Sequence, residues 1–346
     1  MGDNFVYNRS RAAARRAAMQ SACCTQRLPK EGPGMNANAR RTVQIVEVGA
    51  RDGLQNEKEV IATADKVALL NRLIDAGARR LEIASFVNPA RVPQMADGEA
   101  VIAAMPDRAD VRYIGLCLNK RGVLRALASR EGNRRGVDEA GCVIVASDTF
   151  GQKNQGQTIE DGIRENREML KLAREGGLVP QVTISAAFGC PFEGHVAPET
   201  VGRLAGEMAD AGAVEIAIAD TIGVGVPSQV EDLVGRVREA APGVRLRAHF
   251  HNTRGTGIAN AWAAFKAGVD VLDSSLGGLG GCPFAPRATG NIATEDLVYL
   301  LDRSAIGSGL DLDRLIETNH WFQTILGRPL PAMVGKAGGF TGTAAT

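Results

Sequence analysis

One pattern repeats in residues 214–274, VEIAIADTIGVGVPSQVEDLVGRVREAAPGVRLRAHFHNTRGTGIANAWAAFKAGVDVLDS. In this pattern a short apolar run is followed by a longer amphipathic segment. The apolar runs lie at 214–218, 245–249 and 269–274. They are bounded by Gly, Asp, Asn or Pro, as is typical of buried parallel strands. The segments between them, 230–240 and 257–267, have the length and spacing of helices. The stretch therefore predicts successive strand–helix units.

The same alternation extends over the rest of the chain from Thr42 onward. Further strands are predicted at 43–48, 80–85, 111–116, 142–146 and 181–187, and further helices at 63–76, 159–175 and 198–211; the segment 89–105 has the least defined pattern. Eight such units in about 250 residues match a closed barrel. A doubly wound open sheet is the alternative, but no Gly-x-Gly-x-x-Gly turn follows the first strand. We predict an α/β fold, a (β/α)8 TIM barrel with an extra C-terminal helical segment beyond Leu312.

The composition excludes several classes of partner. Lys and Arg number 40 against 39 Asp and Glu, so no global field attracts nucleic acid or a membrane surface. No apolar run is long enough to span a membrane. Six scattered cysteines indicate a reducing compartment, and we expect a cytoplasmic protein.

The two ends of the chain differ in composition from the barrel pattern. Residues 1–41 contain seven arginines and only two acids, Asp3 and Glu31. We expect a disordered N-terminal extension, or a start placed upstream of a true first residue at Met35. A mitochondrial transit peptide, with a location in the matrix, is the alternative. The barrel domain is predicted at 42–331, followed by a flexible Gly-rich tail at 332–346.

A TIM barrel places functional side chains at the C-terminal ends of its strands. Polar residues occur at these positions of the predicted strands: Arg51, Asp52, Glu82, Ser85, Asn119, Ser147, Asp220, His249 and His251. The loop after the eighth strand is rich in glycine and leads to Cys282, with Asn291 further on. The barrel therefore predicts an active site built from several loops at one mouth.

His249 and His251 are spaced so that both side chains point to the same face of a strand, which in a barrel is the lumen. A pair of core histidines bonded to carbonyls is the alternative, but the position at a strand end favours metal ligation. Asp52 supplies a carboxylate at the same mouth. Two imidazoles and a hard oxygen, with open positions, suit an octahedral ion such as Mg²⁺ or Mn²⁺. Arg51 is suited to stabilise an oxyanion, or forms a plain salt bridge.

Cys282 follows four glycines, at 277, 278, 280 and 281, and precedes Pro283. A loop of this composition is flexible enough to act as a lid. The thiol is either an inert buried group or an acid or base near the metal, since its ordinary pKa is about 8.5. The loop lacks the Gly-Lys-Ser/Thr ending of a phosphate-binding loop.

Several long motifs in fixed order resemble the 3-hydroxy-3-methylglutaryl-CoA lyase family of TIM-barrel metallolyases. They are IVEVGARDGLQNE at 45–57, SFV at 85–87, VPQM at 92–95, FGCP at 188–191, GVG at 223–225, GGCPFA at 280–285 and GNIATEDLV at 290–298. The likeness covers the chain from about Thr42 to Pro331. It implies a carbon–carbon lyase that cleaves 3-hydroxy-3-methylglutaryl-CoA to acetyl-CoA and acetoacetate, as in leucine degradation and ketone body formation.

The resemblance also implies roles for individual residues. Asp52, His249, His251 and Asn291 would bind the metal, and Arg51 would steady the enolate of the departing acetyl-CoA. Asp52 or His249 would act as the base, Cys282 as acid or base, and Glu82 and Glu295 would orient these groups. The candidate substrate-binding residues are Gln55, Ser85, Asn119, Ser147 and Asp220. We expect an acyl-CoA thioester as the partner and a homo-oligomer, a dimer or larger.

The chain departs from the family pattern at three points, of which the first two concern the substrate more than the reaction. Asn252 follows His251 where relatives carry Asp, and Asp148 stands where Glu is usual. The tail has no cysteine for an inter-subunit disulfide. The alternatives are a lyase for a 3-hydroxy-3-alkylglutaryl-CoA or a citramalyl-CoA-like thioester, a condensing synthase of the same superfamily, and a barrel whose metal site serves only binding or stability. The chain ends soon after the barrel, which disfavours a synthase with a C-terminal regulatory domain.

Overall fold

Eight parallel strands close into a barrel in their sequence order, β1 to β8, with β8 pairing back onto β1. The structure is a computed structural model that describes residues 41–132, 135–281 and 290–340. The strands are Gln44–Glu47, Arg80–Ser85, Arg112–Cys117, Glu139–Val145, Val179–Ser185, Glu215–Asp220, Arg245–Phe250 and Val271–Ser274. The predicted TIM barrel is confirmed, and each strand lies within three residues of its predicted bounds.

Strand alternation separates two environments. In β6, Ile216 and Ile218 face outward and are buried in the core cluster with the surrounding helices, whereas Glu215 faces the lumen and contacts Arg80 and Arg247 from other strands. In β5, Ile184 packs outward in the same way. Both faces of the sheet are therefore covered, as in other parallel sheets.

Eleven helices lie within the described ranges, and most of them connect consecutive strands. They are α1 Thr63–Asp75, α2 Gly98–Ala104, α3 Lys120–Ala128, α4 Asp148–Gln155, α5 Ile159–Glu175, α6 Pro198–Asp210, α7 Pro227–Ala240, α8 Gly257–Lys266, α9 Thr294–Arg303, α10 Leu312–Leu326 and α11 Met333–Ala337. The ill-defined segment 89–105 contains a short 3-10 turn, Pro93–Met95, and then α2. Helix α4 was not predicted; Ser147 caps it by accepting a hydrogen bond from the Phe150 N–H.

The C-terminal segment differs in part from the expected flexible tail. Helix α10 is the predicted extra helix. Helix α11, however, lies inside the segment expected to be flexible. The N–H groups of its first two residues, Met333 and Val334, donate hydrogen bonds to the Asp296 carboxylate. His320 Nε2 lies 2.8 Å from the Gly335 carbonyl oxygen. These contacts from earlier helices fix a short helix that composition alone did not reveal. Residues 1–40 of the expected N-terminal extension lie outside the described residues.

The lower end of the lumen is filled by charged side chains. Arg80 Nη2 lies 2.6 Å from Glu139 Oε2, and Arg80 Nη1 lies 2.7 Å from Glu215 Oε2. Gln181 Nε2 donates to the same Glu139 carboxylate at 2.7 Å. Because these groups occupy the N-terminal half of the barrel, the open space lies at the other mouth. None of the described helices is long and apolar enough to cross a membrane.

Candidate metal centre and active site

A cavity of about 1210 Å³ occupies the mouth formed by the C-terminal ends of the strands. Residues from all eight strands or the segments after them line it. Its polar wall includes Arg51, Asp52, Gln55, Glu82, Asn119, Thr183, Arg247, His249, His251 and Asp273. The predicted location of the site at this end of the barrel agrees with the geometry.

The Arg51–Asp52 pair enters the cavity from a single tight turn, Gly49–Gly53, directly after β1. The N–H groups of residues 51, 52 and 53 all bond the Val48 carbonyl. A Cβ on Gly53 would lie 2.8 Å from Leu279 Cβ, so glycine is needed for the loop after β8 to approach. The Arg-Asp-Gly sequence thus brings the first and last strands of the barrel together at the site.

Asp52, His249 and His251 form the cluster that could hold a metal ion, with ligand atoms within 4.8 Å of one another. Nε2 of each imidazole lies 3.9 Å from Asp52 Oδ2. Both histidines are on the lumen face of the end of β7, and their ring centroids are 5.2 Å apart. The structure therefore brings together the three ligands that the sequence predicted from spacing and strand position.

Asn291, the fourth expected ligand, reaches the same point. Its Nδ2 donates to Asp52 Oδ2 at 2.8 Å and to the Leu279 carbonyl at 3.1 Å. Its Oδ1 is buried and has no hydrogen-bond partner among the described residues. A buried amide oxygen without a partner is costly, and a bound cation would remove that cost. Asn291 thus fits the metal site with its oxygen.

Two of the ligands, His251 and Asp52, are held in the protonation states that suit a cation. Burial, together with the neighbouring His249, lowers the pKa of His251 to about 4, so this imidazole is neutral. Burial opposes ionisation of Asp52, but Arg51 and the two histidines hold the pKa of its carboxyl below the usual range. Neutral imidazoles and an ionised carboxylate are the forms that ligate metals.

The charges around the lumen do not balance without a cation. Three guanidinium groups, on Arg51, Arg80 and Arg247, are paired with five carboxylates: Asp52, Glu82, Glu139, Glu215 and Asp273. With all five carboxyl groups ionised and His249 neutral, this buried set would carry two excess negative charges, which is unfavourable. One divalent ion at the cluster would neutralise them.

Asp273 is a site residue that the sequence reasoning missed. Its Oδ2 lies 3.1 Å from His249 Nδ1, and both side chains are buried. Burial opposes the imidazolium, yet the hydrogen bond to Asp273 raises the pKa of His249. A carboxylate on one ring nitrogen directs the other nitrogen, Nε2, toward the cluster. The available signal was a single acid within the apolar strand β8, at a lumen position.

Arg51 is fixed between two carboxylates. Its Nε donates to Glu82 Oε2 at 2.7 Å, Nη2 contacts the same oxygen, and Nη1 lies 2.7 Å from Asp52 Oδ1. Gln55 contacts both Arg51 and Asp52, at 3.4 and 3.5 Å. Although Arg51 offsets part of the effect, burial raises the pKa of Glu82. The arrangement agrees with the expected orienting role of Glu82.

Three of the expected substrate-binding residues do not reach the cavity wall. Asp220 accepts hydrogen bonds from the N–H groups of Val224 and Gly225, because strand alternation turns it away from the lumen. Ser147 caps α4 and lies 3.0 Å from Cys190 Sγ. Ser85 is also buried away from the wall. Gln55 and Asn119 do line the cavity.

Cys282, the expected acid or base of the lid, lies outside the described residues. Glu295, expected to orient groups at the metal, contacts the start of the loop after β8. Its carboxylate accepts hydrogen bonds from the Gly277 N–H at 2.8 Å and from Asn319 Nδ2 at 2.6 Å. Glu295 therefore acts on the loop and not directly on the predicted ligands.

A (β/α)8 barrel with two imidazoles, a carboxylate and an amide oxygen at its C-terminal mouth defines a TIM-barrel protein with a candidate divalent-metal centre. The chain belongs to the HMGL-like family, whose model matches residues 42–321. The predicted family is confirmed.

Similar proteins agree with this assignment over most of their length. The (R)-citramalyl-CoA lyase of Chloroflexus aurantiacus is 44% identical over 86% of this chain and 95% of its own. The 3-hydroxy-3-isohexenylglutaryl-CoA/hydroxymethylglutaryl-CoA lyase of Pseudomonas aeruginosa is 39% identical over 87% of this chain and 98% of its own. A solved HMG-CoA lyase from Acinetobacter baumannii, in complex with coenzyme A and 3-methylmalate, superposes with a TM-score of 0.83 at 36% identity, covering 88% of this chain and 98% of that one. The predicted enzyme class, a carbon–carbon lyase, is confirmed.

Proposed function

We propose that the protein is a divalent-metal-dependent lyase, with Mg²⁺ or Mn²⁺, that cleaves a 3-hydroxyacyl-CoA bearing a carboxylate. 3-Hydroxy-3-methylglutaryl-CoA, which gives acetyl-CoA and acetoacetate, is the expected substrate. Citramalyl-CoA, which gives acetyl-CoA and pyruvate, is the second candidate, favoured by the 44% identity to a citramalyl-CoA lyase. The observation that carries the proposal is the Asp52–His249–His251 cluster beside Arg51 in an HMGL-like barrel.

A divalent ion held by Asp52, His249, His251 and Asn291 would polarise the substrate hydroxyl and lower its pKa. Asp52 or His249 takes the hydroxyl proton as the bond between C2 and C3 breaks. The electron pair of that bond passes to C2, forming the enolate of acetyl-CoA, while C3 becomes the keto carbon of the product. Arg51, fixed by Glu82, faces the enolate oxygen. Protonation of C2, the role expected of Cys282, completes acetyl-CoA.

The rim of the cavity supports an acyl-CoA as the substrate. Four exposed cations line it: Arg91 on the loop after β2, Lys120 and Arg121 in the first turn of α3, and Lys153 in α4. No salt bridge joins Arg91 or Arg121 to another residue in the described parts of the chain. Phosphate groups bind well to such cations. The phosphates of coenzyme A could therefore lie at the rim while the thioester extends toward Arg51.

The proposal is tested by incubating Mn²⁺-loaded protein with 3-hydroxy-3-methylglutaryl-CoA, longer 3-hydroxy-3-alkylglutaryl-CoA thioesters and citramalyl-CoA. Mass spectrometry would detect acetyl-CoA and the keto acid. We expect at least one thioester to be cleaved, with equal amounts of the two products. Folded, metal-loaded protein that releases no acetyl-CoA from any of them would overturn the lyase proposal and favour a metal that serves only stability.

A further inference from the structure

Arg247 is a buried guanidinium in the cavity wall to which the proposed mechanism gives no role. It lies on β7 two residues before His249, so both side chains point into the lumen. Only 4% of its surface is exposed. Burying a guanidinium is expensive unless its N–H groups find acceptors. Arg247 therefore needs either a structural partner or a ligand.

The other buried arginines of the lumen have structural partners for every nitrogen. In Arg51, Nε, Nη1 and Nη2 all donate to Glu82, Asp52 or Gln55. In Arg80, the same three nitrogens all donate to Glu139 or Glu215. These two guanidinium groups have no nitrogen left without an acceptor.

Arg247 differs from both. Its Nη2 donates to Thr183 Oγ1 at 3.1 Å. Its Nε lies 3.4 Å from Glu215 Oε1 and 3.6 Å from Asp273 Oδ1 but forms no hydrogen bond to either, and is buried without a partner. Its Nη1 forms no hydrogen bond with any described residue. The two carboxylates balance the charge of Arg247, while part of its hydrogen-bonding capacity stays open beside the cavity.

The hydroxyl groups near Arg247 can also donate hydrogen bonds to a ligand in the cavity. Thr183 Oγ1 accepts from Arg247, so its hydroxyl hydrogen remains available to an acceptor in the cavity. Ser185 and Thr221 form a hydroxyl pair at 2.9 Å on the same side of the wall. A fork of N–H groups flanked by hydroxyls is suited to a carboxylate.

We propose that Arg247, assisted by Thr183, binds the free carboxylate of the acyl group. Through this contact the enzyme selects thioesters that carry such a carboxylate. This inference rests on the proposed lyase function, because it places the carbinol of the substrate at the metal cluster. Successive lumen positions on one strand are about 7 Å apart. A carboxylate one or two carbons from the carbinol therefore reaches Arg247 while the hydroxyl lies near His249. Acyl groups of this kind are 3-hydroxy-3-carboxyacyl and 3-hydroxyglutaryl thioesters.

Two variants and one matched control test the inference. Arg247→Met removes the N–H donors and keeps much of the side-chain volume. Arg247→Lys keeps the positive charge but loses the paired N–H donors of the guanidinium. Arg245→Met is the control: Arg245 lies on the same strand, bonds Gln44 and Asp270, and does not line the cavity. Mn²⁺-loaded protein would be titrated calorimetrically with free citramalate, with free 3-hydroxy-3-methylglutarate and with coenzyme A.

We expect Arg247→Met to weaken binding of the hydroxy acids about 10- to 100-fold, as for loss of hydrogen bonds to a charged group. Binding of coenzyme A and of Mn²⁺ should not weaken, and Arg245→Met should bind the acids like the natural protein. In turnover, the natural protein should prefer a carboxylate substrate over its methyl ester by a similar factor, and Arg247→Met should lose that preference. If Arg247→Met does not fold, Arg247→Lys and Thr183→Val are tested in its place. The same two quantities are measured: the affinity for the hydroxy acids and the preference for the free carboxylate over the methyl ester.

The calorimetric binding measurements distinguish this inference from the lyase proposal. Arg247-dependent binding of the hydroxy acids without cleavage of any thioester would support the inference and overturn the lyase proposal. Cleavage with an unchanged ester preference and unchanged acid binding in the Arg247 variants would overturn the inference and leave the lyase proposal standing.

Discussion

At the residue scale, the geometry of the candidate metal centre depends on which nitrogen of His249 faces the cluster. Asp273 Oδ2 lies 3.1 Å from Nδ1, and the opposite nitrogen, Nε2, lies 3.9 Å from Asp52 Oδ2. His251 has no such support: its Nδ1 is buried without a hydrogen-bond partner among the described residues. The hydrogen bond from Asp273 thus orients one ring, and the other is held by packing.

Asp273→Asn should lower the affinity for Mn²⁺ about 10- to 100-fold, the effect usual for loss of a carboxylate behind a ligating histidine. The amide can present its NH₂ to Nδ1, which favours the wrong tautomer of His249. Titration with Mn²⁺ followed by electron paramagnetic resonance would measure the affinity. Asp270→Asn, a change at a half-exposed carboxylate that pairs with Arg245, is the matched control. Equal affinities in the two variants would remove Asp273 from the metal centre.

The residues that the sequence revealed are those with a local signal. His249 and His251 are recognisable because strand alternation puts both on one face, and Arg51 and Asp52 because they follow a strand. The signal for Asp273 was weaker, a single acid within an apolar strand, and Arg247 had none, since both lie within strands and their partners come from other strands. Ser147 and Asp220 were assigned to substrate from position alone, but the side-chain direction turns them to a helix cap and a loop.

At the element scale, the loop after β8 connects the metal centre to the helices outside the barrel. Glu47 accepts hydrogen bonds from the Leu276 N–H at 3.0 Å and from Thr294 Oγ1 at 2.6 Å. The Glu295 carboxylate accepts a hydrogen bond from the N–H of Gly277, the next residue of the loop. These two buried carboxyl groups fix the start of the loop.

Gly280→Ala should weaken metal binding at least about 10-fold. Gly280 has φ +130, a conformation that alanine rarely adopts, and an added Cβ would lie 2.7 Å from Asn291 Nδ2. The methyl group would displace Asn291 from Asp52. Gly309→Ala provides the control: φ is also positive, but nothing lies within 4 Å of the added Cβ. If calorimetric Mn²⁺ titration finds the same affinity in both variants, Asn291 does not contribute to the site.

The strand and helix pattern was predictable because each buried parallel strand is a short apolar run bounded by turn residues. Helix α4 and the turn Gly49–Gly53 were not, because a side-chain cap from Ser147 and bonds to the single Val48 carbonyl define them. Helix α11 likewise depends on Asp296, which lies 37 residues before Met333 in the chain. Contacts of this kind are set by the tertiary fold.

At the scale of the whole molecule, buried ionisable groups make stability depend on pH. Burial raises the pKa of Glu47 to about 7 and that of Glu295 to about 8, despite the N–H and O–H groups that bond them. In the unfolded chain both groups would titrate near 4.3. The folded protein therefore retains protons on these two groups that the unfolded chain loses. Their contribution to stability is fully present below about pH 4 and is lost as the pH rises toward 8.

Glu295→Gln should flatten the fall in the free energy of unfolding between pH 5 and 8, because the amide cannot ionise. One carboxyl group accounts for a slope of at most about 1.4 kcal/mol per pH unit. Urea denaturation at several pH values would measure the slope. Glu317→Gln, at an exposed position on α10, should leave it unchanged. A Glu295→Gln slope as steep as that of the natural protein would contradict the buried-carboxyl explanation.

In the proposed mechanism, carbon–carbon cleavage takes place at the Asp52–His249–His251 cluster. The most direct test of this mechanism is to add Mn²⁺ to metal-stripped protein and to measure, on the same samples, bound ion and the initial rate of acetyl-CoA release from the substrate identified in the thioester panel. We predict that the rate rises in proportion to bound ion, reaches its limit at one ion per chain, and is lost with the ion in His251→Ala. Acetyl-CoA release at the full rate from stripped protein, or from His251→Ala without bound ion, would contradict the account.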